Sequence, residues 1–307
     1  MLSFIVKDDH RMNWGVPPYF VFKFLHIFLQ ILQPEDMTTP RTSYKIDEQH
    51  LGSDLDGETA VAFAAASIAF SKSDPDYSSQ LLDHAKQLFD FANSHQGMYQ
   101  NSIPQAHSYS SSGFQDELLW AAAWLYRATN NKTYSDYLSS SGNTGGTRTM
   151  FSWDDKYSGA QVPVAKLILK GKAPNDGNWG NYKNQGEQFI CNVIQQGSNN
   201  VKKTNAGALW WDPFNNLQYT TSALFLTASY SDSFSAAKDS LNCPAGSISP
   251  DDIISFARSQ VDYILGKNPK GMSYMVGYGS SFPQQVHHRG ASIVPIHENG
   301  TTCWLSR

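Results

Sequence analysis

Cysteine, charge and strict alternation are all scarce in this sequence. Only 3 of its 307 residues are Cys, and Cys191, Cys243 and Cys303 form neither a metal-ligand spacing nor a disulfide framework. A Cys243–Cys303 bridge in an exported protein and three free thiols both remain open. Charged residues make up 16% and the net charge is −4, so no basic field is present to attract nucleic acid. No apolar run has the ~20 residues a membrane span requires. The nearest, Tyr19 to Leu32, is shorter and is interrupted by Lys23, His26 and Gln30. Its flanks also lack the basic and small-residue borders of a secretory leader. No stretch alternates well enough to be a major strand.

Hydrophobic residues reach 40% and aromatic residues 13%, with 8 Trp and 15 Tyr, enough for a sizeable globular core. Aromatic faces also stack on the apolar faces of sugars. Residues 1–33 read as an atypical N-terminal segment, with the charged run Lys7 to Arg11 and Pro17-Pro18. The body, 34–307, is a succession of helical patterns. An Ala-rich helix runs to about Phe70, with Asp56 as its expected N-cap. Tyr77 to Ser94 carries amphipathic spacing, and Phe114 to Ala128 is apolar on nearly all sides, which predicts an inner helix. Further helices are expected over Lys132–Leu138, Lys156–Leu169, Asn184–Ile194, Leu217–Tyr230 and Pro250–Leu265, with Gly, Pro, Ser and Asn between them. Consecutive helices in pairs imply stacked helical hairpins. Asn131-Lys132-Thr133 and Asn299-Gly300-Thr301 fit the N-glycosylation sequon, which matters only in a secretory compartment.

The stretch Ser273 to Ser292 concentrates glycines, aromatics, His287, His288 and Arg289 in a segment without periodicity. Imidazole and guanidinium groups together can grip hydroxyls and hold a carboxylate. Ser273-Tyr274-Met275-Val276, Gly279 and Val286-His287-His288-Arg289-Gly290 resemble the histidine signature of glycoside hydrolase family 9, which contains the endo-1,4-β-glucanases. The resemblance continues through Pro34-Glu35-Asp36-Met37, Thr39-Pro40-Arg41-Thr42, Gly113 to Trp120, Phe151 to Lys156, Gly159 to Val162, Phe214 to Tyr219 and Val261 to Gly266. It departs at Ser281, at the missing Trp and Arg before Pro34, and at Phe214, where the family has a substrate-stacking Trp.

The resemblance implies an all-α fold, an incomplete (α/α)6 barrel of helical hairpins, acting on β-1,4-glucan polysaccharides or oligosaccharides with inversion. It implies a secreted cell-wall monomer with no cofactor, no metal, no nucleic-acid partner and no membrane partner. His287 and Arg289 would line the catalytic subsite. Tyr109, Trp153, Asp154, Trp211, Phe214, Gln218 and Tyr219 would bind substrate, with Trp153-Asp154 equally readable as a packed Trp beside a helix cap. Trp210 and Trp211 either compensate for Phe214 or belong to the core. Asp116 and Glu117 are adjacent and point in different directions, whereas an inverting acid and base stand ~6.5–9.5 Å apart. They read as first-turn acids on a helix dipole. The base Asp of the family's Asp-Ala-Gly-Asp motif and its acid Glu find no match. The expectation is therefore a chain truncated at both ends that does not hydrolyse cellulose as it stands. A non-catalytic glucan-binding remnant and an unstable product with exposed helix faces are the alternatives. The lack of an Asp-rich metal motif disfavours a terpenoid cyclase.

Overall fold

In the computed structural model the described residues are 4–7 and 43–284. They fall in two compact units, one of residues 46–263 and one that includes 4–7, 43–45 and 264–284.

The larger unit is helical, and its first helices alternate between sheltered and peripheral positions. Helix α1 (Ser53–Phe70) is followed by α2 (Pro75–Ser94), a short turn of helix α3 (Tyr99–Ser102) and a 3-10 turn over Pro104–Tyr109. Then come α4 (Gln115–Thr129), α5 (Lys132–Ser140), α6 (Tyr157–Leu169), α7 (Gly177–Val193), α8 (Asn216–Ala237) and α9 (Pro250–Ile264). Packing runs α1 to α4, α4 to α6 and α6 to α8, while α2, α5 and α7 lie against these from outside. The first helix of each pair is thus the inner one. Composition explains this: α4 and α6 bury residues on most of their faces, whereas α2 buries one stripe of Leu81, Ala85, Leu88, Phe89 and Ala92. The expected inner position of the Phe114–Ala128 pattern is what the structure has.

Asp56 is a correction to the sequence reading. The helix begins at Ser53, with Gly52 at its N-cap, so Asp56 lies inside the first turn and is buried. The capping bond that such a residue would make is absent because the chain is already helical there. At the next position Gly57 lets α1 and α4 approach closely; a Cβ there would stand 2.9 Å from Glu117 Cβ.

The cysteine expectation also changes. Cys191, near the end of α7, is bonded to Cys243, with Cα atoms 5.6 Å apart. Cys243 ends β3 (Leu241–Cys243), which pairs antiparallel with β4 (Gly246–Ile248), and β3 packs on α7. That contact, invisible in the linear spacing, selects the partner. Cys303 lies outside the described residues. The bond is part of an apolar cluster drawn from α6, α7, α8, α9 and the segments between them, which includes Phe189, Leu209, Tyr230 and Phe234.

The smaller unit holds a two-stranded sheet of β1 (Phe4–Lys7) and β2 (Ser43–Ile46). After α9 the chain turns at Gly266, at φ +118°, a conformation that favours glycine. Residues 273–284 form the irregular loop expected of this stretch. Ser273 N–H donates to the Ser281 carbonyl (2.8 Å), and Tyr274, Met275, Val276 and Tyr278 are exposed. His287, His288 and Arg289 lie outside the described residues. No described helix is long and apolar enough to cross a membrane.

Candidate functional site

Two loops at the N-terminal ends of α4 and α6 supply an exposed aromatic pair. Tyr109 and Trp153 meet edge to face, with ring centroids 6.1 Å apart and planes at 78°. Trp153 keeps 44% of its surface exposed and Tyr109 37%. Such exposure of large aromatic rings leaves faces open to an amphipathic ligand.

The loop bearing Tyr109 is held from several directions. The Tyr99 hydroxyl donates to the Tyr109 carbonyl. Gln100 Nε2 donates to the Ser111 carbonyl (2.7 Å), and Ser111 N–H donates back to Gln100 Oε1 (3.2 Å). Ser112 N–H donates to Asp154 Oδ1 (2.7 Å), so the two aromatic loops are tied directly to each other. Asp154 therefore serves as a cross-loop acceptor, and the alternative of a helix cap does not describe its bond.

The second loop is fixed by its own turn and by Lys156. Ser152 Oγ accepts from the N–H groups of Asp154 (3.3 Å) and Asp155 (3.0 Å). Lys156 is buried; its ammonium donates to the Trp153 carbonyl and pairs with Glu58 of α1. Its backbone N–H donates to Asp116 Oδ2 (2.7 Å). One residue thus couples the Trp153 loop to the helices beneath it. The sequence reading passed over Lys156, although a lysine at the head of an apolar helix is a recognisable sign of a paired buried cation.

Below these loops lies a carboxylate-rich seam between α1 and α4. Asp56 is 1% exposed and Glu117 2% exposed. Among the described residues, Asp56 Oδ2 and Glu117 Oε2 find no hydrogen-bond partner. Burial, then the nearby Asp54 charge, pushes the Asp56 carboxyl up to about 7. Burial, then Asp116, holds Glu117 well above the usual carboxyl range, with Lys156 only partly opposing. Asp116 and Glu117 do stand in the first turn of α4, as expected, but the solvent is shut out. A group that protonates a glycosidic oxygen must reach it, and Glu117 is sealed from any ligand in the cleft.

A cleft of about 470 Å³ with a mixed polar and apolar lining runs beside the loops, lined by Met98, Ser112, Phe114, Asp116, Asp154 and Tyr157 among others. The third contributor is the first turn of α8 together with the turn that leads into it. Tyr219 lies near Trp153, Asp154 and Asp212; burial first and the Asp212 charge next push its hydroxyl above the usual tyrosine range, and the Trp153 side chain partly opposes the rise. Tyr109, Trp153, Asp154 and Tyr219 are thereby brought together. Phe214 is 44% exposed on the leading turn, and Gln218 is half-buried in the first turn of α8. Trp211 faces elsewhere: its indole donates to the Thr149 carbonyl (2.7 Å) and its ring packs on the apolar cluster. Trp210 is the exposed member of that pair. Asn216 sets the turn, its Oδ1 accepting from Trp211 N–H (2.8 Å) and its Nδ2 donating to the Leu209 carbonyl (2.9 Å). No cluster of three or more His, Cys, Asp or Glu side chains suited to a metal ion occurs among the described residues.

The sequence pattern of glycosyl hydrolase family 9 matches residues 5–302. The chain is 59% identical to Endoglucanase 13 of Arabidopsis thaliana over 275 residues, which is 89% of this chain and 56% of that protein. It is 50% identical over 290 residues to Endoglucanase 19 of the same plant, 90% of this chain and 46% of the relative. The chain thus spans about half the length of these relatives. Among solved structures, the endoglucanase of the termite Nasutitermes takasagoensis superimposes with a TM-score of 0.67 at 40% identity, covering 86% of this chain and 55% of that one. Endoglucanase CelQ of Clostridium thermocellum, solved with cellotriose, gives a TM-score of 0.63 at 28% identity, covering 82% of this chain and 39% of that one. The all-α hairpins are part of an (α/α)6 barrel.

Proposed function

The chain belongs to glycosyl hydrolase family 9, and from that premise we propose that the protein it represents is an endo-1,4-β-glucanase, with the described loops binding the glucan. The observation that carries this reading is the tied pair of exposed rings, Tyr109 and Trp153, beside the cleft. Flat rings offer apolar faces to the axial C–H groups of glucose units, and neighbouring carboxylate and hydroxyl groups take its equatorial hydroxyls. Tyr219 and Gln218 extend the polar side, Phe214 offers a further stacking face smaller than tryptophan, and Asp154 positions the loops while offering its other oxygen. Trp211 acts from below by fixing the turn that carries Phe214. His287 and Arg289 would grip hydroxyls and a catalytic carboxylate. The protein acts as a monomer on cellulose or related wall glucans outside the cell. A buried disulfide supports that location, because such bonds persist in oxidising compartments.

Inverting hydrolysis requires one carboxyl to protonate the leaving oxygen and another to activate water. Neither finds a match in this chain, and the buried Glu117 cannot serve. The activity is therefore proposed for the whole protein, and glucan binding without turnover for the 307-residue chain. Titrating the chain with cellohexaose and following tryptophan fluorescence tests the binding. Saturation is expected, with affinity weakened about tenfold in Trp153→Ala, the size of one lost stacking contact. Unchanged fluorescence at millimolar cellohexaose would overturn the binding reading. Release of reducing ends from carboxymethylcellulose would overturn the assignment of turnover to residues outside this chain.

A further inference from the structure

The turn joining α4 to α5 carries a chemistry that the cleft does not use. We propose that Asn131 is an N-glycosylation site, bearing an N-linked oligosaccharide at the end of α4 remote from the sugar-binding loops. The proposal rests on the extracellular location argued above.

Asn131, Lys132 and Thr133 are all exposed and satisfy the acceptor triplet. Their conformation suits the modification. Asn131 stands outside α5 with extended backbone and caps it, its Oδ1 accepting from Thr133 N–H (3.0 Å). The cap uses the amide oxygen, whereas the glycan attaches to Nδ2, so the helix keeps its capping bond after modification. Asn130 just before it turns the chain at φ 55°, ending α4 and projecting the next residues away from it.

Position is the second argument. α4 starts at Gln115, next to the cleft residue Phe114, and runs to Thr129. Its 15 residues span about 22 Å at the ordinary helical rise. A bulky, hydrated oligosaccharide at Asn131 therefore stands clear of Tyr109 and Trp153 and leaves glucan access open. The third argument is redox: the Cys191–Cys243 bond requires the oxidising lumen in which glycan transfer also takes place.

The co-reactant is a lipid-pyrophosphate-linked oligosaccharide. Asn131 Nδ2 forms a bond to the anomeric carbon and loses one proton. The bond from that carbon to the phosphate oxygen breaks, and the lipid pyrophosphate departs with its electron pair. Nothing is oxidised or reduced.

The test directs the full 307-residue chain into the endoplasmic reticulum of a eukaryotic host with a cleavable leader, and reads the lumenal pool whether or not it is exported. Peptide mapping after peptide-N-glycosidase treatment distinguishes Asn131 from Asn299. The expected result is conversion of Asn131 to aspartate by the enzyme, lost in Thr133→Ala and kept in Thr133→Ser. Thr133→Ala leaves the Asn131 cap in place, so its loss of glycan is not a folding failure. An unmodified Asn131 peptide recovered alongside disulfide-linked Cys191 and Cys243 would overturn the glycan site. Free thiols at Cys191 and Cys243 in the lumenal chain would overturn the secretory reading instead.

Discussion

The seam between α1 and α4 and the cluster around α7 and α8 are filled with opposite materials. The two helices of the seam bury small residues, Ala60 and Ala64 in α1 and Ala121 and Ala122 in α4, together with the carboxyls of Asp56, Asp116 and Glu117, and Gly57 stands against Glu117 where they meet. The cluster is built from Phe189, Tyr230, Phe234 and Leu209, with the disulfide among its members. Small residues let helix backbones approach and leave room for polar groups to anchor the loops above. Large aromatic residues give contact area and little else. The seam should therefore respond to added volume and to pH, and the cluster to lost volume and to reduction.

Removing volume from the cluster gives the largest expected effect. Phe189→Ala leaves a cavity in fully buried surroundings and should cost about 3–5 kcal/mol in urea denaturation; a cost below that of a surface alanine change would break the contrast. Second comes the covalent tie. Cys191→Ala with Cys243→Ala opens a bond spanning a separation of 52 residues and should cost about 2–4 kcal/mol, matched by wild type under reducing conditions. Third, Gly57→Ala brings a methyl to 2.9 Å of Glu117 Cβ and should cost about 1–3 kcal/mol by overpacking. The same change at Gly207, which has nothing within 4 Å, tests whether space or backbone is responsible: its φ of +93° makes any loss there one of strain.

The smallest effect is the one that most sharpens the comparison. The folded Asp56 carboxyl is raised from 3.8 to about 7, so between those values the folded chain holds a proton that the unfolded chain has released. Stability from this group is present below the ordinary carboxyl range and is lost as pH rises toward about 7, with a slope of up to about 1.4 kcal/mol per pH unit. Glu117 shifts in the same direction and continues the decline at higher pH. The charged groups acting on them are Asp54 on α1, Asp116 on α4 and Lys156 before α6, which in turn pairs with Glu58. Thermal melts from pH 5 to 8 should show a falling midpoint, flatter in Asp56→Asn and in Glu117→Gln. Phe189→Ala should lower the curve without changing its slope, and a changed slope there would dissolve the distinction between the two regions.

Much of the scaffold was readable from periodicity. The α2 stripe and the all-round apolar α4 fall where the pattern placed them, because burial of whole faces leaves a mark in spacing. The α7 start did not. Gly177-Asn178-Trp179-Gly180-Asn181 has loop composition, yet buried Trp179 and Tyr182 hold it helical from Gly177. Packing there overrides propensity. α8 likewise runs on to Ala237 through a serine-rich stretch because Phe234 is buried. At the site, Tyr109, Trp153 and Tyr219 come from three separate segments, and only family resemblance nominated them in advance. What spacing could not convey was Lys156 beneath Trp153, Asp154 bonded to Ser112, and the choice of Cys191 over Cys303 as partner of Cys243. Each depends on elements far apart in sequence becoming neighbours.

The bond from Cys191 to Cys243 closes the chain into a covalent ring that contains both the turn carrying Phe214 and the first turn of α8 with Gln218 and Tyr219. A protease that cuts the exposed tip near Phe214 opens the ring without freeing either piece. Outside a cell, where no chaperone or resynthesis repairs a nick, the two halves of the turn would stay on one molecule, and only a reductant would separate them.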